Sequence, residues 1–245
     1  MHLRQKIATA TGAAVFAVAL VGCTGQQTAS SSSAETTSTT ASTLVALGAV
    51  PTVPNDLAAN SAHHSLQVPG EPFTLTVDYY LTDYDATAWQ TLQPKNVHLS
   101  VHLAPTSAES PEVLMGSFRG VTTLLAAMPG LDGLPIAETN DVPQAIPGYL
   151  INANYPYDNV LTIEGFSTPL ADRWTLLAGA QPLTESGLAA AGVYANRMTF
   201  SYRILVKNNG DSGYHQRIVQ DTVTVTQAPP PAAETPAAST AATTG

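Results

Sequence analysis

The stretch Met198-Thr199-Phe200-Ser201-Tyr202-Arg203-Ile204-Leu205-Val206-Lys207-Asn208-Asn209-Gly210-Asp211-Ser212-Gly213 decides the fold. Met198, Phe200, Tyr202, Ile204 and Val206 recur at every second position, the period of a strand with one buried face. Asn208 to Gly213 then supplies the residue types that a hairpin turn with positive φ requires. The chain returns through Tyr214 to Thr226, with Val223 and Val225 alternating with threonines.

The same period runs upstream. Phe73, Leu75, Val77, Tyr79 and Leu81 alternate with Thr74, Thr76, Asp78, Tyr80 and Thr82, and Val97, Leu99, Val101 and Leu103 alternate with His98, Ser100 and His102. Shorter strands are expected at 113–118 and 160–166, while 121–128 fits a helix or a strand until Pro129-Gly130 stops either. Helices are few. Thr168-Pro169 is a cap followed by proline, Leu170, Trp174 and Leu177 recur at helical spacing, and Gly179 stands where a left-handed C-terminal residue belongs. Thr184 caps a second short helix, with Leu183 and Leu188 spaced as a hydrophobic staple and Gly192 at its end. Repeated strands without a βα alternation predict a mainly β chain, a β-sandwich of immunoglobulin-like type with two or three short helical insertions, over residues 60–226.

Composition narrows the function classes. The chain has 245 residues, 44% of them hydrophobic and only 11% charged, with a formal net charge of −9. That apolar content supports a packed core. The negative charge and the lack of any Lys/Arg cluster exclude nucleic acid as the main partner, because neutralising phosphates needs clustered cations. A single cysteine, Cys23, excludes an intramolecular disulfide.

Cys23 sits in a telling place. Arg4 and Lys6 form a short positive region, and Ile7 to Val21 is apolar or small apart from Thr9 and Thr11, the pattern of a secretory signal peptide rather than of a membrane span. It ends in Leu20-Val21-Gly22-Cys23, which resembles the lipobox of bacterial lipoproteins. The resemblance implies diacylglycerol on the Cys23 sulfur, cleavage after Gly22 and acylation of the new amino group. It thus implies membrane attachment through covalent lipid, on the extracytoplasmic face of a bacterial cell membrane. Loss of residues 1–22 would take the net charge from −9 to −11.

Residues 23–59 then read as lipidated cysteine and tether. Thirteen of the twenty residues from 24 to 43 are Ser or Thr, a composition that cannot offset its own chain entropy and would hold a domain about 25 Å from the bilayer. Residues 44–60 are more apolar and are expected to dock along the domain as an edge segment. Residues 227–245, with Pro229-Pro230-Pro231, read as a tail without regular structure.

Site candidates are sparse. The longest stretch without a clear period, Pro129 to Asn159, contains Tyr149, Asn152, Asn154, Tyr155 and Tyr157, and tyrosine with asparagine suits recognition. It is the candidate binding loop. His98 and His102 share a strand face but stand about 13 Å apart, too far to ligate one metal. The pair His63-His64 lies in a polar segment, so a metal site would need two histidine regions to meet in space. Asp83-Tyr84-Asp85 lacks the glycine and distal glutamate of a calcium loop, and Asp85 reads instead as the cap of a short helical turn through Ala86 to Leu92. No catalytic or cofactor motif is present: Gly116-Ser117-Phe118-Arg119-Gly120 carries its serine one place early for a nucleophile elbow.

The expected function is a lipid-anchored envelope lipoprotein that acts as a binding or assembly module, not an enzyme and without a cofactor. Its partner would be an envelope protein or a small ligand. The alternatives are an envelope enzyme with a hydrolytic site outside known motifs, and a carrier of lipid or glycolipid. Cys23→Ser is expected to abolish incorporation of a metabolically labelled lipid precursor and normal processing; undiminished label on the variant would exclude the lipoprotein reading.

Overall fold

The computed structural model describes residues 49–104, 111–144 and 147–230. The signal peptide, Gly22, Cys23, the Ser/Thr-rich stretch and most of the tail lie outside the described residues. Among the described residues no helix is long and apolar enough to cross a membrane.

The domain is a sandwich of two antiparallel sheets. One holds β1 (Ser61–Gln67), β2 (Thr74–Tyr80), β3 (Lys95–Ala104) and β7 (Tyr157–Ile163) in the order β1-β2-β3-β7. The other holds β4 (Glu112–Ala126), β5 (Pro135–Asp141), β8 (Val193–Lys207) and β9 (His215–Thr226) in the order β5-β4-β8-β9. A short β6 (Tyr149–Ile151) continues the β5 side by pairing with the first part of β4. The strands form because their apolar residues alternate, and the alternation is what closes the core. Leu75, Val77 and Tyr79 from β2 and Leu99 and Val101 from β3 meet Phe118, Phe200, Tyr202 and Ile204 from the other sheet, all buried. The hairpin read from Met198 to Thr226 is the β8–β9 pair, with Val206 opposite His215 and Ala195 opposite Thr226.

Residues 121–128, which fit either helix or strand, complete β4 as far as Ala126. The reason is tertiary: β4 lies between β8 and the β5–β6 edge, and a helix there would strip β5 of its sheet partner and β8 of one of its two. The Pro129–Asn159 stretch is less irregular than its sequence suggests. It contributes β5, β6 and the start of β7, short strands at the sheet margins whose prolines and polar residues hide the period; Pro135 opens β5, where a missing donor costs least. His63 and His64 likewise lie in β1, not in an irregular polar segment: Ala62, His64 and Leu66 take the more buried positions, and the alternation escapes notice because a histidine holds one of them.

The helical pieces follow their local signals. Asp85 caps a 3-10 turn of only Ala86–Ala88, accepting from the Thr87 amide at 2.9 Å. Helix α1 (Thr168–Ala178) buries Leu170 and Trp174 and stops at Gly179, φ +64°. Its N-cap is Ser167 and not Thr168. In α2 (Glu185–Ala190) Thr184 Oγ1 accepts from the Gly187 amide at 3.0 Å.

The first and last described segments meet the same end of the sandwich. Before β1, Asp56 uses its amide on the Thr224 carbonyl at 2.8 Å and its carboxylate on the Thr224 amide at 2.7 Å, docking this segment on β9. Leu57 is then fully buried. After β9, the Gln227 amide donates to Tyr194 O at 2.9 Å and the Ala228 amide to Trp89 O at 2.7 Å. Residues 50–53 and 226–230 line one cleft together.

Two glycines separate conformational cost from steric cost. Gly165 and Gly210 have φ of +83° and +89°. A Cβ on Gly165 would strike the Leu92 backbone carbonyl, whereas one on Gly210 meets nothing within 4 Å. Gly210→Ala is expected to cost about 1–2 kcal/mol and Gly165→Ala about 2–5 kcal/mol; denaturant titration of both variants measures the difference, and equal costs would refute it.

Candidate functional site

The end of the sandwich opposite the first and last described segments carries the candidate binding loop. Gly148 lets the chain pass against β4, because a Cβ there would meet the Met115 carbonyl. Tyr149 and Leu150 follow in β6, 42% and 48% exposed. Asn152 then builds the turn: its side-chain oxygen accepts from the Asn154 and Tyr155 amides at 2.8 and 2.9 Å, and its own amide donates to Tyr155 O at 3.0 Å. That is asparagine's turn chemistry. It leaves the Asn154 side chain exposed and Tyr155 65% exposed on a fixed backbone. Val142 adds a further exposed apolar side chain in the segment that leads to β6.

Tyr157 departs from the expected exposure. It is 5% exposed, its ring tilted against that of Tyr149 with centroids 6.2 Å apart, and its hydroxyl donates to Asp141. Asn159 donates to the same carboxylate oxygen at 3.1 Å. Burial, and then the bond to Asp141, raises the Tyr157 phenol well above its ordinary range. Of the five loop residues, Tyr149, Asn154 and Tyr155 therefore face solvent, Asn152 is spent on the turn, and Tyr157 belongs to the core. All three tyrosines stand an even number of residues from buried Leu161 and Ile163, so period-two alternation does not separate the buried ring from the two exposed ones.

Three other clusters have no motif in the sequence. At the β1–β9 seam, Tyr79 donates to Asp221 at 2.7 Å, Tyr79 and Tyr202 share a 2.7 Å bond, and His64 Nδ1 lies 2.7 Å from the same Asp221 oxygen. Further along that seam Glu71, in the β1–β2 turn, meets His215 at 2.7 Å, Arg217 at 2.8 Å and Asn208 at 3.3 Å. Burial alone would raise the Glu71 carboxyl, but the bonds from His215 and Asn208, with the Arg217 charge, outweigh it and hold the group below the usual carboxylate value. At the end where residues 226–228 leave β9, Lys95 is buried with its ammonium 4.7 Å from the Trp89 ring and 5.2 Å from Tyr84. Burial lowers it to about 8, against the attraction of Glu185. It donates to the Gln90 carbonyl, and Glu185 accepts from the Leu92 amide, so the pair ties the loop before β3 to α2.

The outer face of the β1-β2-β3-β7 sheet carries a polar ribbon. His63 Nδ1 lies 2.7 Å from Asp78, Ser100 Oγ lies 3.1 Å from His102 Nε2, and Ser100 donates to Asp158 at 2.6 Å. His98 stacks on Tyr80 at 5.1 Å. Serine, histidine and aspartate meet here without forming a triad. Ser100 and Asp78 both approach His102 Nε2, whereas a triad needs the carboxylate on the other ring nitrogen.

No protein-family model matches the sequence, and no curated protein matches it. Among solved structures, the chain is similar to a protein from Archaeoglobus fulgidus at 7% identity and a TM-score of 0.31, covering 62% of this chain and 94% of that one. It is also similar to the X-ray structure of a structural genomics target at 8% identity and a TM-score of 0.29, covering 73% of this chain and 94% of that one.

The Glu71 cluster gives a pH prediction with a definite sign. A carboxyl held lower in the folded than in the unfolded chain stabilises above its unfolded value of 4.5 and loses that contribution as pH falls through the folded value. Glu71→Gln is expected to lose about 1–3 kcal/mol at pH 7, with the gap to the parent narrowing below pH 4.5. Urea titrations from pH 7 to pH 3 measure it, and a gap that widens on acidification would refute it.

Proposed function

We propose that this chain is a lipid-anchored binding or assembly module of the bacterial cell envelope, on the extracytoplasmic face. The observation that carries the reading is the placement of the two ends. The first and last described segments, residues 50–53 and 226–230, both lie beside Val193 and Tyr194. The Asn152–Tyr155 turn stands beyond the other end of the strands, next to Val113 at the start of β4. Twelve residues of β9 separate the two ends, about 40 Å at the rise of an extended strand. An attachment on the N-terminal side would then join the domain at the end away from the tyrosine-bearing turn, which is left free for a partner.

The chemistry of that end favours recognition over turnover. Rigid, half-exposed tyrosines beside an exposed amide suit contact with a partner, while the titratable groups are engaged with one another: Asp141 with Tyr157 and Asn159, Glu71 with His215 and Arg217. A carrier would need the space between the sheets, which Phe73, Phe118, Phe200, Tyr79 and Tyr202 fill.

A photo-reactive amino acid placed at Tyr155 is expected to cross-link a specific partner in intact cells, and one placed at Leu176 on exposed α1 is not. In parallel, Tyr149→Ala and Tyr155→Ala are expected to weaken retention of that partner by about 1–3 kcal/mol with little change in thermal midpoint. Tyr157→Ala is expected to lower the midpoint by several degrees. Cross-linking from Leu176 alone, or loss of stability in all three alanine variants with the partner retained, would overturn the reading.

A further inference from the structure

The fold gathers cations that the sequence scatters. Four of the seven lysines and arginines among the described residues, Arg119, Arg197, Arg203 and Lys207, stand on the outer face of the β5-β4-β8-β9 sheet. Their face follows from the register: Arg119 lies opposite Ser201 and Lys207 opposite Glu112, while the alternate β8 residues Met198, Phe200, Tyr202 and Val206 fill the core. From Arg197 to Lys207 the row runs along β8 for about 33 Å of extended strand. We propose that this face binds a linear acidic polysaccharide, whose carboxylates pair with Arg197, Arg203 and Lys207 and whose hydroxyls meet the uncharged polar side chains between them.

Uncompensated charge is the first support. None of Arg197, Arg203 and Lys207 forms an ion pair among the described residues. Arg203 is held by neutral groups: Nε donates to Ser117 Oγ at 3.2 Å, Nη2 to the Gly116 carbonyl at 3.2 Å and Nη1 to Gln216 Oε1 at 3.5 Å. Those bonds fix the guanidinium without cancelling its charge, and a fixed planar fork is what a carboxylate pairs with best. Arg197 is exposed. The Lys207 ammonium lies 5.9 Å from the ring of Tyr214, which is 37% exposed and offers an amphipathic surface for a sugar ring at that end. The carboxylates on this face are Glu112, which accepts from Tyr214, and Glu138, which holds Arg119 at 3.0 Å.

Composition and spacing choose among polyanions. Between and beside the cations stand Thr199, Ser201, Gln216, Gln220 and Thr222, whose hydroxyls and amides suit those of a sugar. Ile218 and Leu150 are the large apolar side chains exposed there, too few to enter a bilayer, which takes a whole apolar face. Arg203 and Lys207 stand about 13 Å apart along the strand, whereas a nucleic-acid strand carries a charge about every 3.4 Å. A polymer with neutral sugars between its acids matches the wider interval. The net charge of −9 on the chain does not oppose this locally. Asp78 and Asp158 lie on the outer face of the opposite sheet, beyond a core about 10 Å thick, and exposed charges more than about 8 Å apart are largely screened at physiological ionic strength.

Hyaluronan, in which a uronic acid alternates with a neutral amino sugar, is titrated calorimetrically into the full chain carrying Cys23→Ser, so that no lipid is attached at that residue. Dextran serves as the neutral polymer and phosphatidylglycerol vesicles as the anionic lipid surface. Hyaluronan is expected to bind at about 0.15 M salt and to be released at about 1 M, where the screening length falls to about 3 Å; dextran is expected not to bind. Arg197→Gln, Arg203→Gln and Lys207→Gln are each expected to weaken binding by about 2–5-fold, and the triple variant by about 10-fold or more. Arg173→Gln on α1 and Tyr155→Ala at the Asn152 turn are expected to bind as the parent does. Circular dichroism of each variant separates loss of binding from loss of fold, and exposed Arg197 is the residue whose replacement is least able to unfold the domain. No uptake of hyaluronan, equal uptake of dextran, undiminished binding by the folded triple variant, or capture by the vesicles in place of hyaluronan would overturn the proposal.

Discussion

Asp221 sits where the two sheets meet, and the closure of the sandwich turns on groups of its kind. The inward faces of the sheets attract one another through apolar contact, but that attraction is non-directional and does not fix where the open sides lie. On the β1–β9 side, Asp221 receives Tyr79 and approaches His64 from the opposite sheet, and Glu71 reaches across to His215 and Arg217. On the β5–β7 side, Asp141 receives Tyr157 and Asn159. Each carboxylate lies on one sheet or its turn and takes donors from the other. The only cysteine is Cys23, so no disulfide performs this joining. A buried carboxylate is costly when left unpaired and specific when satisfied, so these contacts set the alignment that hydrophobic contact alone leaves loose.

The fold was legible wherever one face was uniformly apolar. β2, β3, β8 and β9 announce themselves because Phe73 to Leu81, Val97 to Leu103 and Met198 to Val206 keep a strict period. Legibility failed where polar residues took inward places. His64 occupies a half-buried position because Asp221 waits for it across the seam, and no local property of β1 reveals that partner. β5 and β6 are short, marginal strands whose pairing depends on β4, from Thr123 opposite Pro135 to Val113 opposite Ile151. The helix caps at Asp85 and Thr184 were readable because their chemistry is confined to three or four residues.

The candidate site shows the same division. Asn152 and its neighbours are a local turn, and asparagine beside tyrosine marks it in the sequence. Which ring faces solvent is not local: Tyr157 is drawn inward by Asp141 and by the aromatic contact with Phe118, 6.2 Å away, while Tyr155 has the turn beneath it and no wall beside it. The meeting of His63 and His102 at Asp78 is less local still, since it requires three strands in register.

The placement of the first and last described segments also has a mechanical side. A load applied between the segment before Asp56 and the Asn152–Tyr155 turn would run parallel to the strands. Ladder hydrogen bonds in antiparallel sheets lie perpendicular to the strands, so such a load shears many of them at once instead of parting them singly. The first contacts to feel a pull on the N-terminal side are the two between Asp56 and Thr224, a small clasp that could release a few residues of slack and leave the sheets whole.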